Sequence, residues 1–342
     1  MTDRVARGAP VDGYEERTGR ARYFSLLARE TEALIDPFRG GLRGDLSEVA
    51  SCCVCGSPPP ETAAFEKGGL RFVRCAACSL VYMSPRPSTE ALSEWYERGS
   101  AANDAWVDVL LSADEEEFQT KDFETLLNQV CAVKPDGDLL DIGCSIGRLP
   151  KMARDRGFRV IGLELGARAA EHARTVFDLD VRQVTLEAAG FPAERFDVAT
   201  LIETLEHIPD PGAMLREIHR ILRPGGLLVI GVPNVISLGV MALGALARTF
   251  NRNHLHYFSE YTLGRLLERE GFGPCWTDTH VPLLETVLNH FQGEDPFSAP
   301  VTRSLPSVAR QRLADPDFRE ALERAICELG LGYRLRMMAT RL

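Results

Sequence analysis

From Asp138 onward, short apolar runs alternate with stretches whose apolar positions recur every three or four residues. Runs at 138–142, 159–163, 180–184, 196–202 and 226–232 have the length of strands, and the last two are apolar almost throughout, as strands covered on both faces are. Helical periods fill 147–156, 166–177, 211–222 and 260–270. A sixth strand is expected at Phe272–Val281, and a closing strand at Tyr333–Arg341, where polar and apolar positions alternate. This alternation predicts stacked βαβ units around a parallel sheet.

The first 137 residues read differently. Residues 1–49 hold one helical stretch, Arg22–Ile35, with Phe24, Leu26, Leu27, Ala33, Leu34 and Ile35 spaced for one apolar face. A glycine-rich break at 38–44 follows, then a cysteine-rich segment at 50–90 that ends in Ser84-Pro85-Arg86-Pro87-Ser88. Helical patterns occupy 88–132, and a Pro-rich, then helical insert at 283–330 separates the last two strands. The expected domains are therefore 1–49, 50–90 and 91–342. No apolar run approaches the roughly 20 residues of a membrane span. The first residues, Met1 to Glu16, have no apolar core, so a secretory signal is not expected.

Charge narrows the partners. A net charge of −10 and a pI near 5.3 count against a nucleic-acid binder, which carries a basic stripe, and favour a small-molecule substrate. Five of the nine cysteines fall between Cys52 and Cys78. A disulfide framework suits small secreted chains, so a metal site in a reducing cytoplasm is the better reading. Cys52-x-x-Cys55-Gly56 and Cys75-x-x-Cys78 are paired knuckles, each offering two thiolates from one tight turn, and together they make a closed, structural zinc site. Cys53 is the spare.

Asp141-Ile142-Gly143-Cys144-Ser145-Ile146-Gly147 ends the first strand of the alternating region and opens a helix. Its glycines let the backbone turn and approach a ligand, and the helix start adds amide donors. Glu164 ends the next strand, about 20 positions on, where a carboxylate can grip ribose hydroxyls. Counted from Gly143, Ser145 and Arg148 stand at the second and third glycine positions of a dinucleotide fingerprint, so the pyrophosphate cradle is missing.

With Glu164, Phe196-Asp197 and Leu222-Arg223-Pro224-Gly225-Gly226, this loop resembles the class I S-adenosylmethionine-dependent methyltransferases. The cysteine knuckles, Leu80-Val81-Tyr82, Pro85-Arg86-Pro87, the run from Thr200 to Pro211, Pro233-Asn234 and His254–Ser259 are similar to the bacterial branch with an N-terminal zinc ribbon. That branch includes ubiquinone-type O-methyltransferases and natural-product tailoring enzymes. The resemblance implies an α/β fold: a seven-stranded, doubly wound, Rossmann-like sheet preceded by a helical segment and a small zinc ribbon. It implies S-adenosylmethionine as cofactor, structural zinc on Cys52, Cys55, Cys75 and Cys78, and a small-molecule methyl acceptor. The alternatives are N- or C-methylation, of a sugar for example, an RNA methyltransferase, or a silent binding module. By the same resemblance Asp141, Gly143, Cys144, Ser145 and Gly147 surround the methionine portion, and Glu164 and Leu165 the ribose. Thr185 and Leu186 meet the adenine, and Ile202 and Glu203 line the sulfonium side. Ser145 stands where the family more often has glycine. The 283–330 insert is expected to cover the acceptor.

A base is needed only if the acceptor starts protonated. His207, after the fourth strand, is the first candidate, with Glu206 placed to orient its ring; anchoring of the following helix is the structural alternative. His254 and His256 follow, since residues two apart share a face in extended chain; two histidines without a nearby carboxylate make a poor metal site. Tyr257, Phe258, Trp95, Tyr96, Trp106 and Trp276 are read first as packing. The acidic run Asp114–Glu117 is expected to be a solvated helix start, and Arg336 and Arg341 to face water.

Overall fold

The computed structural model describes residues 17–281 and 307–342. Helix α1 (Arg20–Glu32) is followed by the short strands β1 (Ser47–Glu48), β2 (Phe65–Lys67), β3 (Leu70–Arg74), β4 (Val81–Met83) and β5 (Arg86–Pro87). Three helices come next: α2 (Thr89–Arg98), α3 (Ala101–Leu110) and α4 (Ala113–Val133). Ser88 and Ser100 start the first two by accepting the amides of Ala91 and Asn103. The alternating region then runs β6 (Asp138–Ile142), α5 (Arg148–Arg154), β7 (Arg159–Leu163), α6 (Ala167–Phe177), β8 (Val181–Arg182), β9 (Phe196–Ile202), α7 (Pro211–Ile221) and β10 (Leu222–Pro233). It closes with α8 (Leu238–Leu243), β11 (His256–Tyr257), α9 (Glu260–Arg269), β12 (Phe272–His280), α10 (Ser307–Leu313), α11 (Pro316–Glu328) and β13 (Arg334–Arg341).

The large sheet has seven strands in the order β12–β13–β10–β9–β6–β7–β8. β13 is antiparallel to both neighbours, whereas β10, β9, β6, β7 and β8 pair in parallel. Alternation along β6 explains the two covered faces. Leu140 and Ile142 pack with Leu215, Ile218, Leu263 and Leu266 of α7 and α9, while Leu139 packs with Phe123, Leu126 and Leu127 of α4. The third strand is shorter than the expected 180–184. Beyond Arg182 the chain leaves the sheet edge, and the Gln183 side chain instead donates to the Leu165 carbonyl at 3.1 Å. β10 begins four residues before the expected start, because Leu222 pairs with Phe196 ahead of an irregularity between Leu222 and Leu227.

β11, β4, β3 and β2 form a second, antiparallel sheet around the cysteine-rich segment. Its fourth strand comes from far downstream: His256 pairs with Tyr82, and Tyr257 with Val81. Cys52, Cys75, Cys78 and Leu80 share one apolar cluster with Phe258, Leu263 and Leu266, so the small sheet is fused to the large one. Arg269 reinforces the junction by donating to the carbonyls of Cys53 and Val54, both at 2.7 Å.

Two surface expectations fail at β13 and a third on α4. β13 is interior to its sheet, so Arg334 and Arg336 point, like Met338, into the layer under α4. Arg336 is buried against the Asp122 carboxylate, which also receives Arg334 at 3.0 Å and lies 3.0 Å from His280 Nε2. Arg341 donates to the Leu222 carbonyl instead of meeting water. On the same helix α4, Glu115 is fully buried and takes Arg20 at 2.7 Å. The expected cover at 283–330 lies outside the described residues as far as 306. Its remainder, α10 and α11, packs at the sheet margin, where Thr279 donates to the Cys327 carbonyl at 2.8 Å. The first 16 residues also lie outside. Among the described residues no helix is long and apolar enough to cross a membrane.

Burial works against ionised Asp122, but His280, Arg334 and Arg336 more than reverse it and hold the carboxyl well below its usual range. Asp122→Asn should therefore cost about 3–5 kcal/mol in urea unfolding at neutral pH, because it leaves buried cations uncompensated. Adding Arg336→Met should recover part of the loss. An unchanged midpoint in the single variant would mean that the cluster is solvated.

Candidate active site

Ligands of open α/β sheets gather where neighbouring strands send their connections to opposite faces. Here that place is the carboxyl end of β6, between β7 and β9. The chain leaves β6 through Gly143 in the left-handed region (φ +77°), and any Cβ there would stand 2.4 Å from Thr204 Oγ1. The amides of Gly143 and Cys144 both donate to the Leu163 carbonyl, at 2.8 and 3.0 Å. Ser145 is left-handed too (φ +51°), a conformation easier for the glycine more usual in the family, and its amide donates to Glu164 Oε2 at 2.9 Å. Gly147 (φ +86°) opens α5 so close to α6 that a Cβ would lie 2.7 Å from that of Ala173.

Two carboxylates define this cleft. Glu164 also accepts the Gly166 amide, at 2.6 Å, so its plane is fixed by two backbone donors, and burial raises its pKa. A carboxylate has about four acceptor positions, which leaves room for two ribose hydroxyls. Asp141 is buried and accepts from Thr200 Oγ1 at 2.5 Å. Burial, opposed by that bond and reinforced by Glu164, pushes Asp141 up to about 7. Of the other predicted cofactor residues, Cys144 sends its thiol into the apolar seam of Ala170, Ala173, Leu179 and Val181 beneath the loop. Leu165 is half-buried beside Glu164, Thr185 is exposed and caps Ala188 through its hydroxyl, and Leu186 is buried in the main core. Ile202 is half-buried at the end of β9.

Beyond Ile202 lies a second group of polar side chains. Glu203 (φ +52°) anchors its amide on the Gly231 carbonyl at 2.8 Å, and its carboxylate lies 3.7 Å from Arg334. Glu206 and His207 share a short 3-10 turn, 205–207. His207 donates from Nδ1 to the Asn253 carbonyl at 2.9 Å and brings Nε2 to 3.8 Å from Glu206 Oε1. The His254 ring stands edge-to-face on that of His207, 4.8 Å between centroids. Burial pushes His207 down to about 4, and burial followed by His207 lowers His254 further below its ordinary value. Both rings are thus neutral and weakly basic. His256 does not join them; its Nε2 meets the Ile208 carbonyl at 3.1 Å. Tyr257 is core, against Phe72 and Phe250. Trp106 packs beside Ile146 of the loop, Trp276 against the core under α4, and Trp95 under Arg252; the Tyr96 side chain lies outside the description.

The supporting roles of Thr200, Thr204, Asn253 and Arg334 are not legible in the sequence, although Thr200 and Thr204 fall within the run that carries the resemblance. Each acts by supporting a neighbour from another segment, which local pattern does not record. The four knuckle cysteines do come together: Cys52 and Cys78 sulfurs are 3.4 Å apart, as are those of Cys55 and Cys75. Gly56 and Ser79, each just after a knuckle, are left-handed and donate their amides to the Cys52 and Cys75 carbonyls.

Residues 116–274 match a family described as methyltransferase domain. The chain is 38% identical over 103 residues to the ubiquinone biosynthesis O-methyltransferase of Pseudomonas aeruginosa (strain UCBPP-PA14), covering 28% of this chain and 44% of the relative. It is 36% identical over 102 residues to the enzyme of the same name from Stutzerimonas stutzeri (strain A1501), with the same coverage. The match thus spans less than half the length of these curated relatives. A SAM-dependent methyltransferase structure from Archaeoglobus fulgidus is similar at 16% identity and TM-score 0.46, covering 74% of this chain and all of that one. Another, from Mesorhizobium loti, is similar at 20% identity and TM-score 0.42, covering 63% of this chain and 96% of that one. The matched segment carries the loop, Glu164 and the β9 rim, and over it the chain is similar to the methyltransferase-domain family.

Proposed function

We propose that the protein transfers the methyl group of S-adenosylmethionine to a small-molecule acceptor, with oxygen as the receiving atom. The observation that carries this is the closure of the 143–147 loop onto Glu164 through the Ser145 amide, beside the buried Asp141. S-adenosylmethionine, when bound, supplies a methyl already activated by sulfonium. Asp141 and the loop amides take the amino-acid portion, Glu164 and Leu165 the ribose, and Thr185 and Leu186 the adenine. Ile202 and Glu203 line the sulfonium side. The chain's main task is orientation, which contributes on the order of 7–11 kcal/mol in displacements of this kind. His207 and His254 stand on the rim beyond Ile202, on the side where the acceptor's proton is lost. The names of the curated relatives favour oxygen over nitrogen or carbon.

The four cysteines fit zinc: paired sulfurs, two knuckle turns and a cluster whose sulfurs all lie within 4.8 Å of one another. Zinc there would be structural and would hold the small sheet against α9. Cysteines that serve as metal thiolates favour a reducing compartment, the cytoplasm.

Wild-type protein should bind S-adenosylhomocysteine in isothermal titration, and Glu164→Ala should weaken it tenfold or more, about 1.4 kcal/mol. No binding by a folded wild type would remove the enzyme reading. Because the Asp141 pKa lies near 7 in the free protein, the residue is largely protonated below that pH and ionised above it. Affinity for the ligand's ammonium group should then rise with pH across 6 to 8, by up to about tenfold per unit on the acid side, and Asp141→Asn should flatten the profile. Cys75→Ser should lower metal content by one zinc per chain and loosen the small sheet, read by limited proteolysis at 50–90; zinc retained by the variant would remove the knuckle assignment.

A further inference from the structure

We propose that Glu206, His207 and His254 bind one divalent transition-metal ion, separate from the four cysteines. The three side chains come from two segments, yet their candidate ligand atoms all lie within 4.8 Å of one another. Metal–ligand bonds of about 2.0–2.2 Å place neighbouring ligand atoms roughly 3–4 Å apart, so a small inward adjustment completes the set. Two imidazoles and one carboxylate suit zinc, iron(II) or cobalt(II).

What surrounds the three residues agrees. Glu206 is fully buried, and among the described residues neither of its carboxylate oxygens has a hydrogen-bond partner. A buried carboxylate left so is costly, and a cation between it and the imidazoles removes the cost. The His207 bond from Nδ1 to the Asn253 carbonyl leaves the lone pair of the neutral ring on Nε2, the nitrogen nearer Glu206. Such a bond to a carbonyl is the usual outer support of a ligating imidazole. His254 has comparable support, with Nδ1 3.3 Å from Thr249 Oγ1. Its backbone is held by the fusion of the two sheets: the Leu255 amide donates to the Glu206 carbonyl at 2.8 Å, and the next two residues pair with β4. The carboxylate missing from the sequence-level view of the histidines is thus supplied by the β9 rim.

Three protein ligands leave coordination positions for an outside oxygen. A hydroxyl bound there would ionise more easily. That consequence rests on the methyl-transfer reading; binding of the ion does not.

Full-length protein produced in cobalt-supplemented medium provides the test. Two equivalents of cobalt per chain are expected, one with thiolate-to-cobalt absorption and one without. Glu206→Gln and His254→Gln should each lose the second equivalent and keep the first, whose thiolate bands report that the small sheet is folded. A single, thiolate-bound equivalent in the wild type would overturn the site, and so would a second equivalent that survives both substitutions. Cobalt-edge X-ray absorption on wild type with zinc retained in the cysteines reads the ligands without any variant: imidazole scattering free of sulfur is expected, and its absence overturns the assignment. Neither readout involves methyl transfer, so S-adenosylhomocysteine titration on the same sample separates failure of the ion from failure of the enzyme reading.

Discussion

The molecule is organised by the way β6 lies between β7 on one side and β9 on the other. Parallel pairing on both edges forces the chain to leave β6 through a tight left-handed turn. That turn is held by two amides on the Leu163 carbonyl and by Thr204, whose hydroxyl donates to the Ile142 carbonyl at 3.2 Å. Removing any of these contacts would loosen loop, carboxylate and rim together. The crevice is therefore a consequence of strand order, and its chemistry comes from the residues that happen to end each strand.

Those strand ends are unusually rich in buried charge. Asp141, Glu164, Glu203 and Glu206 all sit where burial raises their pKa values. A ligand carrying positive charge would meet groups whose ionisation it can stabilise, which is the physical basis of the proposed cofactor site on one side and the proposed ion site on the other. The opposite arrangement occurs around Asp122, where Arg334, Arg336 and a hydrogen bond from His280 hold the carboxylate ionised. There, charge is satisfied within the fold and serves to seat α4 on β13.

The small cysteine-rich sheet is part of this architecture and not an appendage beside it. It takes its edge strand from the segment after β10, shares apolar packing with α9, and so fixes the stretch that carries His254. Any change in the cysteine cluster would be transmitted through the β4–β11 pairing to the acceptor side of the crevice.

The strand–helix alternation after Asp138, the 141–147 loop, Glu164 and the paired knuckles were legible because each is a local signal. Period, turn chemistry and short spacing are written within a few residues of one another. The third strand stops, and the fifth starts, a few residues from where the sequence pattern predicts, since edge position and a bulge decide where pairing begins and ends. Arg336 and Arg341 read as solvent-facing charges and are not, because the sequence of a strand does not say whether it will be an edge or an interior strand; Glu115 is buried because Arg20, from a distant helix, meets it. The meeting of His254 with Glu206 and His207 was beyond any local reading for the same reason. Sequence alone determined which elements form and which residues can do chemistry; the tertiary structure decided which of them meet, because strand order and the fusion of the two sheets set distances that no spacing along the chain encodes.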